Sequence, residues 1–121
     1  MMQRGLLPLS LVFFGLTIGC SSAPPRSPDS SATALMTHYG CPTCHVIPGV
    51  PGAVGKVGPS LASLTQRSYL AGILPNTPEN LEQWVMHPQK FQPGIAMPEM
   101  GISRSDAQQI AAFLERDHSL H

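Results

Sequence analysis

The clearest amphipathic pattern lies near the C-terminal end of the chain. Ser103 to Asp106 resembles a helix capping box, with Asp in place of the commoner Glu. Apolar residues then recur at steps of three and four positions: Ala107, Ile110, Ala111, Phe113 and Leu114. This spacing places them on one face of a helix. The pattern therefore predicts a helix that begins after Ser103 and runs to about Asp117.

A second helix is predicted shortly before this one in the chain. The segment Thr77-Pro78-Glu79 supplies a capping hydroxyl, a proline in the first turn and an early acid, which favour a helix start. The apolar face carries Leu81, Trp84 and Val85. Pro88 limits this helix, because the residue before a proline avoids the helical region.

The rest of the chain predicts shorter elements and long loops. Residues 32–39 read as a short helix stopped by Gly40, and residues 60–66 as another. Residues 41–59 and 88–102 are rich in proline and glycine and are predicted to be loops. Because no run alternates with a period of two, no sheet is expected. The predicted fold class is all-α.

Composition narrows the classes of function. The 121 residues allow one domain, and only 12% are charged. Seven basic and seven acidic side chains cancel, so the clustered positive charge of a nucleic-acid partner is missing and no such partner is expected. A short helical unit with long loops buries too little apolar surface to be stable alone. We therefore expect a large apolar cofactor to complete its core.

The N-terminal segment has the features of an export signal. Arg4 precedes an apolar run over residues 6–19, which is too short to span a bilayer. The run ends in Thr17-Ile18-Gly19-Cys20, which resembles the lipobox of bacterial lipoproteins. An ordinary cleaved signal or an uncleaved anchor is the alternative.

These features predict three parts of the chain. They are a signal peptide over residues 1–19, a flexible linker lipid-anchored at Cys20 over residues 20–31, and a folded domain over residues 32–121. The expected location is the bacterial cell envelope, on the periplasmic or outer face, with the chain held at the membrane.

The motif that carries chemistry is Cys41-Pro42-Thr43-Cys44-His45. A Cys-x-x-Cys-His sequence is the attachment pattern of c-type haem. Two thiols at this spacing reach the two vinyl groups of a porphyrin, and the histidine that follows lies beneath the ring. The alternatives are a disulfide, a thioredoxin-like redox pair and a zinc site, although zinc requires a second ligand pair.

Further short pieces follow this motif in a fixed order: Gly58-Pro59-Ser60-Leu61, Pro75-Asn76-Thr77-Pro78-Glu79-Asn80-Leu81, Trp84 with Pro88, Pro93-Gly94, Met97-Pro98 and Phe113-Leu114. With these pieces, residues 32–117 resemble a class I cytochrome c of the small bacterial kind, and especially the cytochrome domain fused to subunit II of some haem–copper oxidases. The resemblance implies three to five short helices with long loops around one covalently bound haem c.

The resemblance also implies the residues that contact this haem. His45 would be the proximal iron ligand, its second ring nitrogen held by the Pro59 carbonyl. Met97 would be the distal ligand, on a loop stiffened by prolines. Trp84 and Tyr69 would reach the haem propionates, unless they are only core aromatics. The other candidates for the distal ligand are Met100 on the same loop, Met86, Met36 and His87.

The function implied is single-electron transfer and not catalysis, because two protein ligands fill the iron's axial positions. The expected partners are a terminal oxidase and a quinol or cytochrome reductase, with no small-molecule substrate. Two alternatives remain. One is a redox subunit of a larger dehydrogenase, and the other is a haem sensor or enzyme with a displaceable Met97.

Overall fold

The computed structural model describes residues 27–116, so the predicted signal peptide, Cys20 and the histidines His118 and His121 lie outside the described residues. The described helices are α1 (Pro28–His38), α2 (Cys41–Cys44), α3 (Pro78–Met86), α4 (Pro88–Phe91) and α5 (Arg104–Leu114). One 3-10 turn covers Leu64–Gln66, and two short strands, β1 (Tyr69–Leu70) and β2 (Leu74–Pro75), pair with each other.

Helix α1 begins at Pro28 and not near residue 32, so residues 28–31 belong to it and not to the predicted linker. The Ser27 hydroxyl accepts a hydrogen bond from the Ser30 amide at 3.2 Å, which caps the helix. Pro28 fits the first turn because its missing amide would have had no partner there. The lack of large apolar residues in this segment indicated a linker. A polar first turn can nevertheless be helical when a capping side chain accepts from its free amides, as Ser27 does here.

The middle of the chain departs most from expectation. The helix predicted over residues 60–66 is reduced to the single turn at Leu64–Gln66. The prediction of no sheet is wrong, because Leu70 pairs with Leu74 in an antiparallel hairpin. Ala71 and Gly72 turn the chain with φ of 48° and 76°. Strands of two residues are too short to show an alternating pattern in the sequence.

Helices α3 and α5 begin where the sequence predicts. The Thr77 hydroxyl accepts from the Asn80 amide, and the Ser103 hydroxyl accepts from the Asp106 amide, each at 3.2 Å. Helix α3 ends at Met86, before Pro88, as predicted, but two other features differ from expectation. Helix α5 ends at Leu114 rather than near residue 117, and Pro88 starts α4 instead of a loop.

The core forms where α5 packs against α1 and α3. Ala107, Ile110 and Phe113 of α5 are buried, as are Ala32 and Met36 of α1. The C-terminal end of α1 is connected to α5 by the Tyr39 hydroxyl, which donates a hydrogen bond to the Asp106 carboxylate at 2.7 Å. This hydrogen bond raises the pKa of Tyr39 above its ordinary value of 10.0. The packed helices form one side of the site described next.

Within residues 27–116, no helix combines the length and the apolar character needed to cross a membrane.

Candidate functional site

The Cys-x-x-Cys segment forms its own short helix, α2, directly after α1. Gly40 links the two helices with φ of 79°, a left-handed conformation that glycine adopts without strain. Cys41 and Cys44 begin and end α2, and both thiols are free and half-buried. The two side chains line one cavity together with His45.

The environment of the Cys41 thiol does not favour its reactive thiolate form. Burial raises the pKa of the Cys41 thiol above its ordinary value of 9.0. Redox-active cysteines instead have a lowered pKa, since the thiolate is the nucleophile. Among the described residues there is also no group of three or more His, Cys, Asp or Glu side chains that could hold a metal ion.

The His45 imidazole is fixed from two sides. Its Nδ1 lies 2.7 Å from the Pro59 carbonyl oxygen. A carbonyl can only accept, so this contact places the proton on Nδ1 and leaves Nε2 as the nitrogen available to a metal. Gly58 lies directly against the ring, since a Cβ at this position would clash with the His45 Cε1. The Gly58 amide also donates to the Cys44 carbonyl at 2.8 Å, which ties the turn to α2.

A cavity of about 620 Å³ lies beside α2. This volume is within the roughly 300–1,000 Å³ of pockets that take organic ligands. Helices α1, α3 and α5 supply mostly apolar side chains to its walls, and the loop before α5 supplies more. The cavity brings together six of the predicted site residues: Cys41, Cys44, His45, Pro59, Trp84 and Met97. Tyr69 is not among the lining residues, and 56% of its surface is exposed.

Arg67 is a site residue that the sequence reasoning missed. It is half-buried, lines the cavity and donates from Nη2 to the Ser60 carbonyl at 2.6 Å. The backbone carbonyl of Arg67 accepts a hydrogen bond from the side-chain Nδ2 of Asn76 at 2.9 Å. A guanidinium held in this way is suited to bind an anionic group in the cavity. The signal for this role in the sequence was weak, because Arg67 is a single arginine that precedes a hairpin the sequence did not predict.

The structure separates the candidates for the distal ligand. Met97 and Met100 both line the cavity, but only Met100 also packs against the buried core. Met36 is fully buried on α1 and also lines the cavity. Met86 is buried and does not line it. The His87 imidazole, which is about half exposed, pairs with Glu99 at 3.5 Å and is not a lining residue.

Comparison with known proteins gives one match, and no family model and no solved structure matches the chain. The match is to cytochrome c oxidase subunit 2 of Alkalihalophilus pseudofirmus, at 35% identity over 92 residues. It covers 75% of this chain but 26% of that protein, so the chain spans about a quarter of the relative's length. Over this segment, the chain is therefore related to cytochrome c oxidase subunit 2.

Proposed function

We propose that this chain is a single-electron carrier of the class I cytochrome c type, with one haem c bound covalently in the cavity. The observation that carries the proposal is the convergence of Cys41, Cys44 and His45 on one apolar cavity of about 620 Å³. Three helices line this cavity with apolar side chains, and a domain this small needs a large apolar occupant there to complete its core.

Cys41 and Cys44 would attach the haem. Each thiol would add across one vinyl group, with its sulfur bonding to one vinyl carbon and its hydrogen going to the other, so no oxidant would be required. The half-buried position of both sulfurs, on a wall of the cavity, supports this role. Their separation along one turn of α2 sets them on a common edge of the site.

His45 and Met97, which line the same cavity, would both hold the iron. The hydrogen bond from Nδ1 to the Pro59 carbonyl fixes the tautomer and the orientation of the His45 ring, as carbonyl partners do for metal-bound histidines, and leaves Nε2 available to the iron. Once bound, the haem would supply a one-electron couple between ferric and ferrous iron. Because His45 and Met97 would both bind the iron, no position would remain open to a substrate, which favours electron transfer over catalysis.

Trp84 and Arg67 would balance the two negative propionates. Trp84 is half-buried in the cavity wall and has one indole donor. Arg67 supplies a permanent positive charge in a guanidinium whose position is already fixed by Ser60. We assign to Arg67 the second propionate contact that the sequence alone suggested for Tyr69.

The relation to cytochrome c oxidase subunit 2 supports a role in respiratory electron transfer within the cell envelope. We propose that the carrier passes electrons to a respiratory oxidase and that lipid on Cys20 tethers it to the membrane. Tethering would raise the local concentration of the carrier at its partner, which compensates for the lack of a strong steering charge.

The decisive test is the spectrum of the full chain, matured in a host that attaches c-type haem. We expect a pyridine haemochrome with one haem per chain that stays with the polypeptide after denaturation. We also expect the reduced protein to bind carbon monoxide slowly or not at all. A colourless folded protein would overturn the proposal. Rapid carbon monoxide binding would instead support a sensor or enzyme with a displaceable Met97.

Gly58→Ala tests whether the contact with the His45 ring is functional. The added methyl would stand well inside van der Waals distance of the ring, so either His45 or the turn must shift. We expect a clear loss of haem-loaded protein and a shifted Soret band. Gly52→Ala is the matched control, because it adds backbone strain at φ of 73° but meets no atom within 4 Å. Equal yields and spectra in the two variants would contradict the assignment.

A further inference from the structure

The segment that carries Met97 has no regular secondary structure. Between α4 and α5, residues 92–103 form turns and extended backbone, with Gly94 at φ of 82°. Such a segment cannot fix a side chain through its own helix or strand hydrogen bonds. The position of Met97 therefore depends on contacts with neighbouring elements. Three hydrogen bonds to this segment come from a single side chain.

That side chain is Gln89, which is half-buried on α4. Its Nε2 donates to the carbonyls of Ile95 at 2.8 Å and Met97 at 2.7 Å. Its Oε1 accepts from the Gly94 amide at 2.9 Å. Both N–H groups and the oxygen of the amide are thus engaged with one loop. If the Gln89 side-chain amide were flipped, its oxygen would face two carbonyl oxygens, so these contacts establish the positions of Nε2 and Oε1.

A second contact holds the loop on the other side of Met97. The Glu99 carboxylate accepts from the Gln89 backbone amide at 3.1 Å, and its other oxygen lies 3.5 Å from the His87 Nδ1. The His87 and Glu99 side chains are about half exposed, so solvent screens their attraction and the pair contributes little. The half-buried Gln89 amide is the stronger restraint.

We propose that Gln89 is a positioning residue that holds the Met97 loop closed over the cavity and so keeps a weak thioether ligand on the haem iron. This inference rests on the proposed function. A thioether competes poorly with stronger ligands once its loop is free, because dissociation regains conformational entropy over several residues. The three hydrogen bonds of Gln89 oppose this opening, and the bond to Met97 itself acts nearest the ligand.

Imidazole titration of the ferric holoprotein measures the opening directly, because imidazole reaches the iron only after Met97 leaves. In Gln89→Leu, which removes all three hydrogen bonds, we expect imidazole to bind about tenfold or more tightly than in the unaltered chain. In Gln89→Glu, which keeps an acceptor for Gly94 but loses both donors, we expect tighter binding as well. The thermal midpoint is measured in parallel, since a merely structural role would lower it without selectively favouring imidazole.

Gln109→Leu is the matched control, because Gln109 is exposed on α5 and its Nε2 reaches only the Ser105 carbonyl of the same helix, at 3.5 Å. Its imidazole affinity should equal that of the unaltered chain. If Gln89→Leu does not fold, Gln89→Glu carries the test. Affinities within twofold of the control in the Gln89 variants would overturn the inference. Absence of a methionine–iron signal in the unaltered protein would instead overturn the proposed ligands.

Discussion

Replacing Cys41 and Cys44 together by serine should give a colourless chain that no longer folds cooperatively. Without thioether bonds the haem is not retained, and the cavity of about 620 Å³ is left open to water. The apolar side chains that line the cavity would then contact water instead of an apolar occupant, which removes a large part of the hydrophobic stabilisation of the core. A domain has only about 5–15 kcal/mol of stability in total, so a loss of this kind is enough to unfold it. Haem staining after denaturing electrophoresis and thermal unfolding followed by circular dichroism measure the two effects.

The third cysteine provides the control for this experiment. Cys20→Ser removes a thiol from the same chain but leaves both cavity cysteines in place. We expect it to keep full haem staining and the unaltered unfolding midpoint, and to lose only its association with membranes. A double serine variant that unfolds with the same midpoint as Cys20→Ser would mean that the cavity does not need an occupant.

Met97→Ala should keep the covalent haem but change its chemistry. Loss of the thioether removes the weak red absorption band of methionine-bound ferric haem. It should also lower the reduction potential by on the order of 0.1–0.3 V, within the roughly 0.8 V range that axial ligands span. The reduced variant should bind carbon monoxide rapidly, since one axial position is then open. Absorption spectra and a redox titration measure these changes.

Met100→Ala is the matched control, because Met100 lies on the same loop and also lines the cavity. It packs against the core, so we expect some loss of stability, but the red band and the potential should be retained. If the band survives in Met97→Ala and disappears in Met100→Ala, the distal ligand is Met100. If neither variant loses it, the loop does not provide the ligand, and Met36 remains.

The local signals in the sequence were strongest where one residue acts on its near neighbours. The caps at Thr77 and Ser103 are confirmed, because a hydroxyl three positions before an amide needs no distant partner. The start of α1 was missed because a polar first turn resembles a linker in composition. The hairpin at β1 and β2 was missed because its strands are two residues long.

The site could be predicted only in part. The Cys-x-x-Cys-His motif is contiguous, so its residues could be found without knowledge of the fold. Arg67 and Gln89 could not be found in this way. The role of Arg67 depends on the Ser60 carbonyl and on a cavity formed by distant helices. The role of Gln89 depends on a loop that folds back over α4.

The sequence by itself determined the helix starts at Thr77 and Ser103, the Cys-x-x-Cys-His motif and the short list of methionines that are candidates for the proposed distal ligand. Only the tertiary structure decided which of these methionines line a common cavity with His45, that Arg67 lines this cavity and Tyr69 does not, and that Gln89 contacts the loop that carries Met97. The physical reason is range: caps and motifs act over a few neighbouring residues. A cavity wall and a restrained loop form only when segments far apart in the chain pack together.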